Sequence, residues 1–140
     1  SANPGEPPRA VKAAASGGEL SRVMLALKTA FAKADRTPLL VFDEVDSGIG
    51  GEVAAAVGEK LAALARGRQV LCVTHLPQVA CRARTHFHVS KELAAGRTRV
   101  RLERLDGERR LETVALMLGG RAATAASRRH AQELLENSIS

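Results

Sequence analysis

The stretch Leu39-Leu40-Val41-Phe42-Asp43-Glu44 decides how this sequence reads. Its four consecutive apolar residues describe a strand buried on both faces, as in a parallel sheet covered by helices. Two carboxylates follow at the C-terminal end of that strand. An ionised carboxylate withdrawn from water needs a partner, so a side-by-side pair calls for a cation, a proton or a polarised water. In open α/β sheets ligands bind at the carboxyl ends of the strands. A functional reading therefore gives Asp43 a water-mediated Mg²⁺ contact and Glu44 the polarising of an attacking water. The plain alternative is two solvated acids in a loop.

Upstream, Pro38 opens the strand, and a helix is expected from near Ser16 to near Ala34. Ser16 and Glu19 form an S-x-x-E capping box, each side chain meeting a backbone N–H of the other residue. Leu20, Val23, Met24, Leu27 and Phe31 follow at helical spacing and make one apolar face. Taken alone, Ser16-Gly17-Gly18-Glu19 is a helix cap worth about 1 kcal/mol. It also leaves N–H groups at a helix N-terminus with no Cβ at Gly17 or Gly18 to block an anion. The opening Asn3-Pro4-Gly5-Glu6-Pro7-Pro8 suits neither a helix nor a central strand. Residues 1–12 therefore read as an exposed lead-in, and 13–140 as the structured segment.

Downstream, Ser47-Gly48-Ile49-Gly50-Gly51 reads as a turn. A helix over 52–65 then turns Val53, Val57, Leu61 and Leu64 to the core, with Gly67 as its cap. Val70-Leu71-Cys72-Val73 is a second buried strand, ending at Thr74-His75, and Pro77 starts a short helix to about Arg82. That order implies parallel strands with right-handed crossovers. The remainder changes character. Strands over 87–91 and 98–105 join around Gly96. In the second, Thr98, Val100 and Leu102 alternate with Arg97, Arg99, Arg101 and Glu103, which predicts a one-sided antiparallel strand with a basic outer face. Asp106-Gly107 signals a turn, and helices are expected over 110–118, stopped by Gly119-Gly120, and over 124–136.

Composition narrows the function classes. At 140 residues, 26% charged and 45% hydrophobic, the sequence suits one globular domain. It has no apolar run approaching the roughly 18 residues of a membrane span, and no basic and apolar leader at its start. Cys72 and Cys81 make no disulfide framework, so a cytoplasmic location with no membrane contact is expected. The net charge is +6, while aromatic residues are only 2%. A base-stacking platform is therefore disfavoured, and any DNA contact should be to phosphates and salt-dependent. Cys72, His75, Cys81 and His86 or His88 contain one ligand-like C-x-x-H spacing without the second tight pair of a zinc site. The chain contains no Gly-Lys dipeptide, so it lacks the G-x-x-x-x-G-K-[ST] loop that cradles phosphates.

Ser16 to Glu19, Leu39 to Glu44 and His75 resemble, in order and spacing, the signature motif, Walker B strand with catalytic glutamate, and switch histidine of the ABC-type ATPases. The wider strings match more narrowly. Ala15 to Arg22 (ASGGELSR), Val41 to Gly51 (VFDEVDSGIGG) and Cys72 to Gln78 (CVTHLPQ) resemble the RecN family of bacterial SMC-like ATPases of DNA double-strand break repair. The resemblance covers most of the chain. It implies an α/β P-loop NTPase fold without its Walker A segment: parallel strands with flanking helices, then an antiparallel hairpin and two helices. In SMC-like heads the N-terminal part of the protein brings Walker A, and a long coiled coil separates the two parts. The chain then corresponds to the C-terminal head segment.

The resemblance further implies ATP and Mg²⁺ as cofactors and a homodimer of heads closing on ATP. DNA is an expected partner of the full-length protein, with nucleoid association. Asp43, Glu44 and His75 would serve the nucleotide of their own head. Ser16, Gly17, Gly18 and Glu19 would reach the nucleotide of the opposite head. Asp46, Ser47, Gly48 and Gly50 fall in the D-loop. Gly50 stands where the D-loop aspartate of SMC proteins falls, and Asp46 is not its equivalent by spacing. Taken alone, the chain should be inactive and should expose apolar surface that a companion segment covers. A rival reading is a non-catalytic DNA-binding or assembly module using Arg97, Arg99 and Arg101, with Arg104, Arg109 and Arg110 nearby.

Overall fold

The capping box forms as the sequence predicts. Ser16 Oγ accepts from the Glu19 N–H at 3.3 Å, and the Glu19 carboxylate accepts from the Ser16 N–H at 2.7 Å. From it runs helix α1 (Gly17–Ala30) in the computed structural model, which describes residues 16–94 and 96–138 together with Gly5, Pro7 and Ala10. The expected lead-in thus lies almost wholly outside the described residues. The chain divides into two units, Ser1–Val79 and Ala80–Ser140.

In the first unit, β1 (Leu39–Phe42), α2 (Gly51–Leu64) and β2 (Gln69–Cys72) form a strand–helix–strand crossover. The strands pair in parallel, with Leu39 opposite Gln69 and Phe42 opposite Cys72. The short helix α3 (Pro77–Ala80) follows. Leu25, Leu40, Phe42, Val45, Val57, Leu61, Leu64 and Val79 make the core. The turn into β1 is clamped by Asp35. Its carboxylate takes Lys28 at 2.8 Å, Arg68 at 3.3 Å and the Thr37 hydroxyl at 2.6 Å. Arg68 also donates to the carbonyls of Ala32 and Asp35 at 2.7 and 3.0 Å. The Lys28 hydrogen bond, followed by those of Thr37, holds the Asp35 carboxyl well below the usual carboxylate range.

Three burial expectations are corrected. β1 is covered on one face only: Leu40 and Phe42 are buried, while Leu39 and Val41 remain 46% and 60% exposed. Leu71 and Val73 are exposed as well. On α1 the apolar stripe Leu20, Val23, Met24, Leu27 and Phe31 is also open to solvent, and the helix packs through the opposite side, at Gly18 and Leu25. On α2, Val57, Leu61 and Leu64 are buried as expected, but Val53 is exposed and Ala54 takes the inner place. The physical reason is common to all three. Two short strands, two longer helices and the short α3 are too few elements to cover both sides of a sheet. The α2 helix also ends at Ala65 in right-handed geometry, without using Gly67 as its cap.

In the second unit, β3 (His86–Ala94) and β4 (Arg97–Leu105) pair antiparallel about Gly96, whose φ of +73° suits glycine. Cross-strand register puts Phe87, Val89 and Leu93 on one face with Val100 and Leu102. That face is exposed too, so the predicted one-sided burial is absent. Helices α4 (Gly107–Gly119) and α5 (Ala125–Glu136) pack through Val114, Ala115 and Ala131. Gly107 begins α4, so Asp106 occupies its N-cap position, without a side-chain cap bond, where the sequence suggested only a turn. Among the described residues no helix is long and apolar enough to cross a membrane.

Candidate functional site

Asp43 and Glu44 leave the carboxyl end of β1, and Val73, Thr74 and His75 leave that of β2. Parallel pairing brings both ends to one edge. There an open cleft of about 290 Å³ is lined by Asp43, Glu44, Asp46, Ser47, Val73, Thr74 and His75. The sequence-predicted Asp43, Glu44 and His75 therefore meet in one place. Gly48 and Gly50 are not among the lining residues. They sit in the turn to α2, where Gly50 is extended and occupies the N-cap without a side-chain cap bond.

Backbone geometry at the acid pair is unusual. Glu44 has φ +57°, the one positive value at a non-glycine among the described residues. That conformation is disfavoured by about 1–2 kcal/mol for a residue with a Cβ. It turns the chain so that the Glu44 side chain stays exposed while Val45 is fully buried. The Glu44 N–H donates to Asp43 Oδ1 at 2.9 Å, which fixes one oxygen of Asp43 and leaves the other for a ligand.

Helix α1 is tied to this same loop. Ser21 Oγ donates to the Asp43 carbonyl at 2.8 Å. Arg22 donates to the carbonyls of Ser47 and Val45 at 2.8 and 3.3 Å. A Cβ on Gly18 would lie 2.8 Å from Ser47 Cβ and 2.9 Å from the Glu44 carbonyl oxygen, and one on Gly17 would collide with the Glu44 carboxylate. Gly18 is thus needed for close packing inside the chain, a role its openness to an anion did not suggest, whereas Gly17 meets only the movable end of the exposed Glu44 side chain. Ser16 Oγ serves the cap as an acceptor. The Ser16 backbone N–H, then its hydroxyl, lowers the Glu19 carboxyl below its ordinary value.

Asp46 is 3% exposed and is the polar hub of the site. Its Oδ2 accepts from the Thr74 hydroxyl at 2.5 Å and the His75 N–H at 2.9 Å, and faces His75 Nδ1 at 3.1 Å. Burial opposes ionisation of Asp46, but the Thr74 and His75 hydrogen bonds outweigh it and hold the carboxyl below its ordinary value. Spacing alone gave no hint of this contact. Ser21, Arg22 and Thr74 each fall within a motif string but carry no individual signal in the sequence.

The remaining expected residues gather less. Burial, followed by the charges of Asp46 and Asp43, pushes the Cys72 thiol up to about 12. A thiol so reluctant to ionise is a poor metal ligand. Among the described residues no three His, Cys, Asp or Glu side chains group to hold a metal. In the second unit, Arg97, Arg99 and Arg101 share one exposed face of β4, with Arg101 3.7 Å from Glu92. Arg104 falls on the other face by register, and Arg110 is tied to the carbonyls of Cys81 and Ala83 at 2.9 and 2.7 Å. Arg109 pairs with Glu103. The basic patch of the rival reading thus shrinks to three arginines.

This arrangement has a solved counterpart. A structure from work on ATP-driven dimerization and DNA-stimulated activation of SMC ATPases superposes with a TM-score of 0.51 at 23% identity, over 75% of this chain and 62% of that one. The fold is that of an SMC-type ATPase head, reached here by a parallel sheet, an antiparallel hairpin and helices. No protein-family model matches the sequence. Curated relatives do: DNA repair protein RecN of Bacillus subtilis is 46% identical over 97% of the chain, that of Xylella fastidiosa strain 9a5c 52% over 96%, and that of Deinococcus radiodurans 55% over 96%. Nearly the whole chain is thus similar to one segment of RecN proteins. It spans about a quarter of the length of these relatives, 24%, 25% and 23% respectively.

Proposed function

We propose that this chain is the C-terminal segment of a RecN-type ATPase head acting in DNA double-strand break repair and recombination. The observation that carries the reading is the single cleft holding Asp43, Glu44 and His75 at the ends of two parallel strands. Glu44 polarises the attacking water, His75 contacts the γ-phosphate, and Asp43 holds Mg²⁺ through water. The donor set suits that ion. Mg²⁺ keeps several waters and is held by one or two carboxylates plus substrate phosphates, so one half-committed Asp43 is enough protein ligand. When bound, the ion neutralises charge developing on the phosphates.

Ser16, Gly17, Gly18 and Glu19 present a capped helix N-terminus, suited to the γ-phosphate of a nucleotide on a second, identical head. In this reading the phosphate cradle comes from an N-terminal head segment carrying Walker A. The uncovered apolar residues Leu39, Val41, Leu71 and Val73 support such a companion. Residues 13–140 form the head segment and 1–12 lead in from a coiled coil. DNA is the ligand of the complete protein, in the cytoplasm at the nucleoid. Gly50 leaves the D-loop without its usual acid, so Asp46, Ser47 and Gly48 carry that turn.

The test is to mix the chain with an N-terminal head segment and measure ATP turnover and dimerisation. Turnover should arise only in the mixture and fall with Glu44→Gln. Robust hydrolysis by the purified chain alone, abolished by Glu44→Gln, would overturn the division of labour.

A further inference from the structure

His75 has a feature that a phosphate-contacting histidine does not by itself require. Its side chain is 72% exposed, so packing does little to orient the ring. The anchor is Asp46, a buried carboxylate three residues beyond Asp43 on the other loop of the cleft. One oxygen of Asp46 collects the Thr74 hydroxyl, the His75 N–H and the His75 ring nitrogen Nδ1. An ionised carboxylate is acceptor-only, so Nδ1 must carry the proton in that contact. The ring then turns Nε2 outward as its working atom. Nε2 can take a proton, or donate one to a phosphate oxygen when the ring is charged.

We propose that Asp46 is a positioning residue for His75, selecting the Nδ1–H form and aiming Nε2 into the cleft. The proposal rests on the ATPase reading above. Carboxylate–imidazole pairs of this geometry act by fixing the tautomer and by stabilising the charged ring, without touching substrate. The Thr74 hydroxyl is the second brace. It donates to Asp46 and accepts from the Leu76 N–H at 3.0 Å, so the β2 exit loop braces the same carboxylate oxygen that faces the ring. Asp46 thus joins the β1 loop to the β2 loop and sets the histidine in one contact.

A purely architectural role for Asp46 predicts different kinetics, and a double-mutant cycle in the reconstituted head separates the two. Asp46→Asn should lower kcat for ATP about 10- to 100-fold while KM stays within about twofold, because Asp46 does not touch the nucleotide. In a His75→Ala background Asp46→Asn should cause no further loss, since its effect runs through the ring. Losses that multiply, or an Asp46→Asn head with full kcat, overturn the proposal. If Asp46→Asn does not fold, Thr74→Val replaces it. That change removes one hydrogen bond to Asp46, and its smaller loss of kcat should likewise vanish in the His75→Ala background; a multiplying loss overturns the proposal. Turnover indifferent to both Glu44→Gln and His75→Ala overturns the ATPase reading and this inference together. Sensitivity to both, with multiplying losses at Asp46, overturns this inference alone.

Discussion

Among the described residues there are two sheets of two strands each, and they differ in what lies against them. The parallel pair β1–β2 has Leu40 and Phe42 packed against Val57, Leu61 and Leu64 of α2, and its strand ends carry the cleft. The antiparallel pair β3–β4 is longer, yet Phe87, Val89, Leu93, Val100 and Leu102 are exposed. One pair is half of a finished layer. The other is a ribbon carrying an apolar face. A site needs rigid elements beneath it, and the covered pair supplies them. Under the proposed reading, the uncovered apolar face on either pair is where the companion segment packs.

Substitutions can break or sharpen that contrast. The largest effect is expected at the cleft. Glu44→Gln should reduce ATP turnover of the reconstituted head by about 100-fold or more, measured at saturating ATP. Unchanged turnover would remove the cleft from the chemistry. Next is the covered face: Leu61→Ala should destabilise the chain by about 2–5 kcal/mol in chemical denaturation, because Leu61 is only 6% exposed. A loss under about 1 kcal/mol would mean that α2 does not seal β1–β2.

Smaller again is the clamp before β1. The Asp35 carboxyl is depressed, so its contribution is present at neutral pH and fades as pH falls toward its folded value. Asp35→Asn should lower the melting temperature at pH 7, and the gap to wild type should narrow as pH falls below about 4. A gap that stays constant with pH would rule out the charge as its source. The smallest effect belongs to the ribbon. Leu102→Ser should change stability of the chain alone by less than about 0.5 kcal/mol, and by more once the companion segment is bound. A large loss in the chain alone would show that the ribbon's apolar face is already covered.

Much of this was legible in the residues. The capping box, the parallel crossover, the hairpin about Gly96 and the meeting of Asp43, Glu44 and His75 all follow from spacing and pattern. The apolar run Leu39 to Phe42 was harder. It states that both faces of the strand avoid water, but not whether the second cover lies in the same chain. The stripe on α1 misleads for the same reason, and its inner side is built from Gly18, Ser21, Arg22 and Leu25, which carry little hydrophobic signal. Asp46 was illegible as a hub because a buried acid in a loop has no period. Its partners Thr74 and His75 are 28 and 29 residues away.

The close approach at Gly18 also limits how this sequence can drift. Any side chain there meets both the Ser47 Cβ and the carbonyl oxygen of Glu44. Shrinking Ser47 to glycine would clear only the first obstacle, since the second belongs to the backbone of a residue already held in left-handed geometry. Relieving the backbone contact requires the turn after β1 itself to shift. Over generations position 18 is a locked character, released only if the whole turn after β1 is rebuilt.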